Sequence, residues 1–522
     1  MKAIFSIRIL ALLLTAILTF SSCVDVSDLI DDDSDYIEPP ITYVFSDVDS
    51  LKFISYRIDD TINPKIYSDV FFTYHSDDNK YKADIQYYHT DLSSLKSIYR
   101  TNATRVTVND ISQISGYTPN NFNNVITYRL YTINGNYKDV TFQLTNNCNL
   151  DIPLIVINTE KAKPIENRDD WIPGKMFIDK QLTNETEYIG KIEIKGRGNN
   201  TWGNSKKPYV LKLINESSIL SMNSEKKWVL LANASDRTLL RNKVSFEIAK
   251  QTSIAWTPDS RFVNVILNGR FIGNYLICEQ IKISTNRVNI TQMSYDETSN
   301  QGIKGGYLIE MDRFFNEPTK FRSQYANLPV LIKEPEYLNS YQFNYIQNYI
   351  NTLEASLYGD ISSGDYLDYI DINSFVDWWI VYESTVNLDA NLPGSCYMHK
   401  DNGGKLYAGP VWDFDLTTFK ASTNFHIMNK CMWYPKLFSD PFFKQIAKQR
   451  WELLKPNLIS VINYIDMQKN YIQNSAITNW EIWTINSGSN QDETLPWTEA
   501  VERMKTNYTN RLNWLDAQIS TW

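Results

Sequence analysis

The chain has 522 residues, a composition that is 43% hydrophobic and 13% aromatic, and a formal net charge of −9. This length predicts two or three folded domains with sizeable cores. The negative balance provides no basic field that would attract nucleic acid, and the five cysteines and four histidines show no metal-ligand spacing. Composition therefore excludes a nucleic-acid-binding protein and argues against a zinc protein.

Residues 1–22 have the pattern of a secretory signal. Lys2 and Arg8 precede an apolar run, residues 9–20. This run is too short for an ordinary membrane span. The small residues before Cys23 resemble a bacterial lipoprotein cleavage box, which predicts that Cys23 is lipidated. The alternative is an ordinary signal peptide followed by an unmodified cysteine.

Residues 23–40 are strongly acidic, which predicts a disordered tether. They contain no basic residue, and their carboxylates are those of Asp25, Asp28, Asp31, Asp32, Asp33, Asp35 and Glu38. Together with a lipid anchor at Cys23, this stretch predicts a membrane-anchored lipoprotein of the outer membrane. The sequence leaves open whether the protein faces the periplasm or the cell surface.

Residues 41–150 are dense in short β patterns such as DVFFTYH, ADIQYYH and VITYRLYTI. Turn clusters separate several of them, and Asn134-Gly135 is a strong hairpin signal. Many short strands without helical periodicity predict an immunoglobulin-like β-sandwich. No residue pattern in it indicates chemistry, so a spacer or a binding module is the expected role.

A second unit is predicted over residues 151–522. Its core, 190–420, alternates strands with Gly- and Asn-rich loops, and a hairpin turn at Asn268-Gly269 joins two of the strands. The spacing of apolar residues predicts one helix over 236–249, with Ser235 as its N-cap.

The last part of this unit is mainly helical. Residues 338–387 and 440–522 show helical periodicity and many tryptophans. The C-terminal part, 421–522, is therefore expected to be helical. Strands with one helix, followed by helices around a short acidic hairpin, indicate an α+β class with two lobes.

The stretch from Glu383 to Asp415 concentrates the carboxylates that suggest chemistry. Asp389 follows a helix-like run, a predicted hairpin comes next, and Asp413 and Asp415 close the segment. Hard oxygen ligands hold a magnesium ion against phosphates, so this pattern suits a magnesium-nucleotide site. The alternative is structural, with Asp389 capping a turn and the other two carboxylates on a solvated bend.

Several segments together resemble the CotH kinase family, named for a spore-coat protein kinase with an atypical kinase fold. In chain order they are IKGRGNNTWGNSKKPYVLKL, WVLLANASDRTLLRNKVSFEIA, VNVILNGRFIGNYLICEQI, GGYLIEMDR, and ESTVNLDANLPGSCYMHKD with GPVWDFD. The resemblance implies a two-lobed, atypical protein-kinase-like domain. It also implies transfer of phosphate from ATP, with Mg²⁺ or Mn²⁺, to serine or threonine of a secreted or surface protein.

A kinase site needs groups that hold the nucleotide phosphates. The loop Gly196-Arg197-Gly198 lies between two strands, where backbone N–H groups can approach phosphate, although such a loop is more often a turn. Lys212 alternates away from the apolar face of its strand, and the resemblance favours it as the phosphate partner, with Lys207 as a rival. Glu247 on the following helix is expected to pair with that lysine; an exposed helix glutamate is the alternative.

The resemblance also assigns the acidic residues. Asp389 matches the catalytic-loop aspartate that orients or deprotonates the acceptor hydroxyl. Asp413 matches the metal-binding aspartate, and Asp415 is a second ligand or a carboxylate that fixes Asp413. Asn387 or Ser395 is expected to complete the metal shell, but the chain lacks the H-R-D motif of protein kinases, which leaves the last ligand open.

Two other classes of function remain open. The chain could keep the fold without the reaction, as a non-catalytic binding or scaffold lipoprotein of the cell surface, because ATP is scarce outside the inner membrane. It could also be a carbohydrate-active enzyme that uses Asp389 and Asp413 as paired carboxylates. The carbohydrate reading leaves the lysine strand and the glycine loop unexplained.

Overall fold

The structure is a computed structural model that describes residues 47–150, 152–181, 188–485 and 490–522. The predicted signal peptide, the tether and Cys23 lie outside these residues. The described chain is a mixed α+β protein, as the sequence predicts. Among its described helices, none is both long and apolar enough to cross a membrane.

The first unit contains ten short strands in two sheets that share an apolar core. The strands are β1 (Phe53–Ile58), β2 (Val70–Phe71), β3 (Thr73–His75), β4 (Lys80–Ile85), β5 (Leu95–Thr101), β6 (Arg105–Val108), β7 (Ile111–Ser112), β8 (Pro119–Asn120), β9 (Ile126–Tyr131) and β10 (Tyr137–Asn146). One sheet has the order β2-β1-β5-β8 and the other β3-β4-β10-β9-β6-β7. Neighbouring strands are antiparallel except β4 and β10, which are parallel. The predicted β-rich unit is present, and its immunoglobulin-like class stays a prediction.

The next seven strands close into a barrel, which the sequence did not predict. They are β11 (Leu154–Thr159), β12 (Ile172–Asp179), β13 (Tyr188–Gly196), β14 (Tyr209–Ser217), β15 (Glu225–Leu231), β16 (Ser260–Leu267) and β17 (Arg270–Glu279). Their order around the barrel is β11-β12-β13-β14-β15-β17-β16, and the parallel pair β11–β16 completes the circle.

Strand β11 explains how the barrel joins the first unit. Side chains of a strand point alternately to its two faces. Ile155 and Ile157 belong to the barrel core, whereas Leu154 and Val156 belong to the core of the first unit. The continuous apolar run of this strand is therefore buried on both faces, and the first unit packs against the outside of the barrel.

The rest of the chain forms a second sheet surrounded by helices. Its strands are β18 (Tyr307–Met311), β19 (Lys320–Arg322), β20 (Pro329–Glu334), β21 (Cys396–Lys400) and β22 (Leu406–Ala408), in the antiparallel order β19-β20-β18-β21-β22. The helices are α1 (Arg241–Lys250), α2 (Ser340–Tyr358), α3 (Ile372–Ser384), α4 (Ile427–Lys430), α5 (Tyr434–Leu437), α6 (Pro441–Ile482) and α7 (Trp497–Ile519). The helical periodicity of the C-terminal sequence is confirmed.

Helix α1 starts later than the sequence predicts, at Arg241 instead of residue 236. The reason is the side chain of Asp236, which accepts hydrogen bonds from the backbone N–H of Thr238 and of Arg241, both at 2.9 Å. These bonds compete with helical ones and hold a turn ahead of the helix. Ser235, the expected N-cap, does not cap α1.

The end of α3, which leads into the acidic segment, is fixed by a buried ion pair between Glu383 and Arg511 of α7. Arg511 Nη2 donates to Glu383 Oε1 at 2.7 Å, and Arg511 Nε donates to the Glu383 backbone carbonyl at 3.0 Å. The same carboxylate accepts the backbone N–H groups of residues 426–428. Burial raises the pKa of Glu383 despite these partners. The ion pair therefore couples the position of the acidic segment to α7.

We expect Arg511→Ala to lower the free energy of unfolding by about 3–5 kcal/mol, because it leaves a buried carboxylate without its counter-charge. Urea denaturation at pH 7, followed by tryptophan fluorescence, measures this loss.

Lys505→Ala on the same helix is the matched control. It removes a solvent-accessible ion pair with Asp466, whose side chain is 43% exposed, and the expected loss is below about 1 kcal/mol. Equal losses for the two variants would contradict the structural role of the buried pair.

Candidate functional site

A cleft with a cavity volume of about 680 Å³ lies between the barrel and the second sheet. The barrel contributes the loop between β13 and β14 and the segment after β15, and the second sheet contributes the ends of β18 and β20. Charged side chains of both signs line it. The basic ones are Arg168, Lys195, Arg197, Arg313 and Lys333, and the acidic ones are Asp169, Glu310, Asp312, Glu317, Asp389, Asp413 and Asp415.

Asp389 lies on a short 3₁₀ turn, Asp389–Asn391, that follows α3. Its side chain lines the cleft and is 18% exposed, and its Oδ1 lies 3.0 Å from Arg313 Nη2. A carboxylate in this position is accessible from the cleft and is held by one cation. It can accept a proton from a hydroxyl group that enters the cleft.

Asn387 joins the Asp389 turn to the second acidic segment. Its Oδ1 accepts the backbone N–H of Asp389 at 3.1 Å and of Ala390 at 3.2 Å, and its Nδ2 donates to the backbone carbonyl of Asp413 at 3.2 Å. The side chain is buried and does not line the cleft. Both the oxygen and the nitrogen of the Asn387 amide are therefore hydrogen-bonded to backbone groups. The side chain connects two backbone segments and is not free to bind a metal ion.

Asp413 and Asp415 lie together at the inner wall of the cleft. Burial raises the pKa of Asp413, and the negative charge of Asp389 adds to the shift. Burial raises the pKa of Asp415 well above its usual range, and Asp413 is the next cause. The backbone of Asp413 has a φ of 68°, in the left-handed region that few residues other than glycine adopt. Such a conformation at a cleft carboxylate is typical of functional sites.

This donor set fits a divalent cation. Buried carboxylates that lie near one another repel, and a proton or a metal ion relieves that repulsion. Mg²⁺ and Mn²⁺ prefer carboxylate oxygens of this kind. Outside the cleft, the described residues contain a group of three carboxylates whose oxygens lie within 4.8 Å of one another, formed by Asp59, Asp60 and Asp69. Arg57 already pairs with two of these three residues.

Helix α1 supports the segment between the two acidic residues. Asn242 Oδ1 accepts the backbone N–H of Phe414 at 2.8 Å, and Asn242 Nδ2 donates to Asn233 Oδ1 at 3.0 Å. Asn233 and Asn242 both line the cleft. A buried amide thus connects the barrel segment after β15 to the acidic wall, which the sequence reasoning missed.

The predicted loop Gly196-Arg197-Gly198 lines the cleft opposite this wall. Gly198 has a φ of 83°, and a side chain there would bring its Cβ to 2.0 Å from Thr201 Oγ1, so only glycine fits. Arg197 lies over the ring of Trp412, with 5.5 Å from its Cζ to the ring centroid, and its charge lowers the pKa of Asp413 against the effect of burial. The loop therefore presents a cation towards the carboxylates.

The lysines expected at the phosphates do not line the cleft. Lys212 Nζ donates to Glu193 Oε2 at 2.8 Å, and Lys207 Nζ donates to the carbonyl of Trp202 at 2.7 Å. Glu247 accepts from Gln251 one turn along α1, so the expected Lys212–Glu247 ion pair is not formed.

The physical reason is strand register. Lys212 and Glu193 are directly opposed on β14 and β13, and directly opposed residues of neighbouring strands meet. Val210, two residues earlier on the same face of β14, does reach the cleft wall. Lys195 and Lys333 are the lysines that line the cleft among the described residues.

Ser395 lines the cleft but is held by its backbone. Its N–H donates to Asp312 Oδ2 at 3.1 Å, and Asp312 Oδ1 accepts the N–H of Phe314 at 2.7 Å. Asp312 and Arg313 end the block GGYLIEMDR, which carries part of the family likeness. The family resemblance could therefore have pointed to these two residues. Strand periodicity alone predicts no role for them.

We expect Asn387→Asp to lower the free energy of unfolding by about 1–3 kcal/mol in the presence of EDTA. The new carboxylate still accepts the two N–H groups, but it leaves the Asp413 carbonyl without a donor and adds a buried negative charge. Urea denaturation with EDTA measures the loss.

Asn344→Asp, at an exposed position of α2, is the control for the added charge and should change stability by less than about 0.5 kcal/mol. If Asn387 instead binds the metal ion and does not link the two backbone segments, Asn387→Asp should leave the stability in EDTA unchanged and should strengthen Mn²⁺ binding.

Comparison with known proteins agrees with the family likeness of the sequence. A family model described as CotH kinase protein matches residues 192–515, from within β13 to within α7. No match was found among curated proteins. The matched region covers more than half of the 522 residues and contains every cleft residue from both the barrel and the second sheet discussed here except Arg168 and Asp169. The chain belongs to the CotH kinase protein family.

Proposed function

We propose that this chain transfers the γ-phosphate of ATP to a serine or threonine hydroxyl of a secreted or surface protein. One observation carries the proposal: Asp389 and Asp413, which a whole hairpin separates in the chain, line the same cleft and interact electrostatically. A phosphotransferase needs a proton acceptor beside a cation site, and these two residues supply that pair of groups.

Asp389 is the residue that would contact the hydroxyl group of the acceptor protein. Its carboxylate accepts the hydroxyl proton, which leaves the oxygen free to attack the γ-phosphorus. Because the turn that carries Asp389 is bonded through Asn387 to the Asp413 backbone, the proton acceptor and the cation ligand keep a fixed relation. Fixed relations of this kind are what positioning contributes to phosphoryl transfer.

Asp413 and Asp415 would hold Mg²⁺, with Mn²⁺ as an alternative cation. When bound, the ion would supply positive charge that offsets the negative charge of the phosphates during transfer. Asp415 is buried and Asp413 is half-buried, and desolvation raises the pKa of each, so a cation would replace the proton that otherwise relieves their repulsion.

The glycine loop would lie against the nucleotide phosphates. Arg197 and Lys195 supply positive charge to the cleft, and Gly198 lets the backbone turn close to a ligand. Lys212 and Lys207 would reach a phosphate only if they left their present partners, so Lys195 would take the phosphate role that the family resemblance favours for Lys212. The ring of Trp412 and the side chain of Val210 offer an apolar surface in the same cleft.

The barrel and the helix-covered second sheet would act as the two lobes of a kinase-like domain with the nucleotide between them. The unit before the barrel would be an immunoglobulin-like sandwich that serves as a spacer or a binding module. Cys23 would carry the lipid anchor, which would place the protein at the outer membrane.

A non-catalytic surface scaffold is the second candidate, and one observation favours it. Neither Lys212 nor Lys207 lines the cleft, and both have their charged ends engaged elsewhere. A chain that had lost its reaction could keep the acidic wall and lose the phosphate-binding lysine. The experiment below separates the two candidates.

We expect Asp389→Asn to retain the thermal stabilisation by Mg²⁺ and ATP but to lower the rate of phosphate transfer by roughly 10²–10⁴-fold, since it removes the proton acceptor. Asp413→Ala should abolish both, because it removes a cation ligand. The measurements are a thermal-shift titration and transfer of radiolabelled phosphate from ATP to a mixture of surface proteins from the same cell, with the purified full chain.

Asp110→Asn, an exposed carboxylate of the first unit, is the matched control and should behave as the parent chain. A scaffold would transfer no phosphate, as the parent chain or as any variant. This result would contradict the kinase proposal even if the chain bound the nucleotide.

A further inference from the structure

Two loops lie side by side next to Asp389, and two hydrogen bonds, both with backbone N–H donors, hold them together. One loop follows β18 and carries Arg313; the other follows α3 and carries Asp389. The N–H of Arg313 donates to the carbonyl of Pro393 at 3.0 Å, and the N–H of Ser395 donates to Asp312 Oδ2 at 3.1 Å. The position of Arg313 relative to the Asp389 loop is therefore set by backbone as well as by side-chain contacts.

Gly394 lies where the two loops are nearest to each other. A side chain at this residue would bring its Cβ to 2.6 Å from Arg313 Nη1 and also to 2.6 Å from Asp389 Oδ2. Such distances are shorter than van der Waals contact, so the ion pair and a side chain at 394 cannot both keep their places. A Cβ at this residue would therefore displace the ends of the Arg313 and Asp389 side chains from their present positions.

Arg313 uses only part of its bonding capacity. Its Nη2 is 3.0 Å from Asp389 Oδ1, and its guanidinium lies 5.1 Å from the ring centroid of Phe314. Nη1 is buried and has no hydrogen-bond partner within the described residues. A buried N–H without a partner is unfavourable, and an unsatisfied group of this kind beside a cleft carboxylate calls for an explanation.

We propose that Arg313 is the positioning residue of Asp389, and that Gly394 is the glycine which this positioning requires. The inference rests on the proposed function. Arg313 holds Oδ1 of the carboxylate and leaves Oδ2 as the oxygen that accepts the proton of the acceptor hydroxyl. The proton moves from the hydroxyl to Oδ2, and the electron pair it leaves on oxygen forms the new bond to phosphorus as the bond to ADP breaks.

This role predicts a specific kinetic effect. A catalytic group that moves by 1 Å can lose roughly 10²-fold in rate, whereas a substitution at Arg313 leaves the residues proposed to bind the nucleotide and its cation, Arg197, Lys195 and Asp413, unchanged. Arg313→Ala should therefore lower kcat for phosphate transfer by roughly 10²-fold and leave the KM for ATP within about twofold. Arg313→Lys keeps the charge without the planar fork, so it should recover part of the loss.

Gly394→Ala tests the same point from the other loop. It keeps every charged group, but its Cβ forces Arg313 and Asp389 apart, so kcat should fall as in Arg313→Ala, again with an unchanged KM for ATP. Arg322→Ala is the control: Arg322 lies on the same sheet, its guanidinium is 4.9 Å from the ring of Phe315, and it is exposed. This variant should keep the parent kcat.

The experiment measures transfer of radiolabelled phosphate from ATP for the full-length chain and these four variants, with the melting temperature of each. A kcat of Arg313→Ala or Gly394→Ala equal to that of the parent chain overturns the inference and leaves the proposed kinase activity in place. A loss of kcat that follows the melting temperature, with no recovery in Arg313→Lys, also overturns it, because a structural role suffices. A parent chain that transfers no phosphate overturns the proposed function and this inference with it.

Discussion

The amide of Asn387 is the contact on which the arrangement of the cleft depends. It bonds to the turn that begins at Asp389 and to the backbone of Asp413, so one buried side chain connects the two acidic segments. The helix before it is held by the ion pair of Glu383 with Arg511. The backbone segments that carry Asp389 and Asp413 are thereby placed by bonds that do not involve the carboxylate oxygens of these two residues.

The consequence is an electrostatic conflict inside the wall. Burial is the largest cause of the raised pKa of both Asp413 and Asp415; the charge of Asp389 adds to the shift of Asp413, and the charge of Asp413 adds to that of Asp415. The charge of Arg197 lowers the pKa of Asp413 in part. Burial and Asp413 are the largest causes of the raised pKa of Asp415, and a proton or a metal ion would relieve both effects.

Local signals in the sequence predicted local structure well. The Asn268-Gly269 hairpin forms, with both residues at positive φ (50° and 73°), and the apolar face of β14 is the buried one. The place of Lys212 could not be predicted, because alternation gives the face of a strand but not what that face meets. Successive residues on one face are about 6.8 Å apart along the strand, and this step separates Lys212 from the cleft that Val210 reaches.

The closed barrel and the cleft between barrel and sheet come from pairing between distant strands, for which one sequence holds no local signal. The resemblance to a family found the acidic wall and the glycine loop, whereas Asn242 and Arg313 needed coordinates because their partners are far along the chain. The most direct test of the account is electron paramagnetic resonance of Mn²⁺ with ATP and the full chain. With the parent chain, the spectrum of one equivalent of Mn²⁺–ATP should change from that of the free complex to that of a protein-bound ion. With Asp413→Ala, the spectrum should remain that of the free complex. A spectrum of Mn²⁺–ATP that the parent chain leaves unchanged would contradict the account.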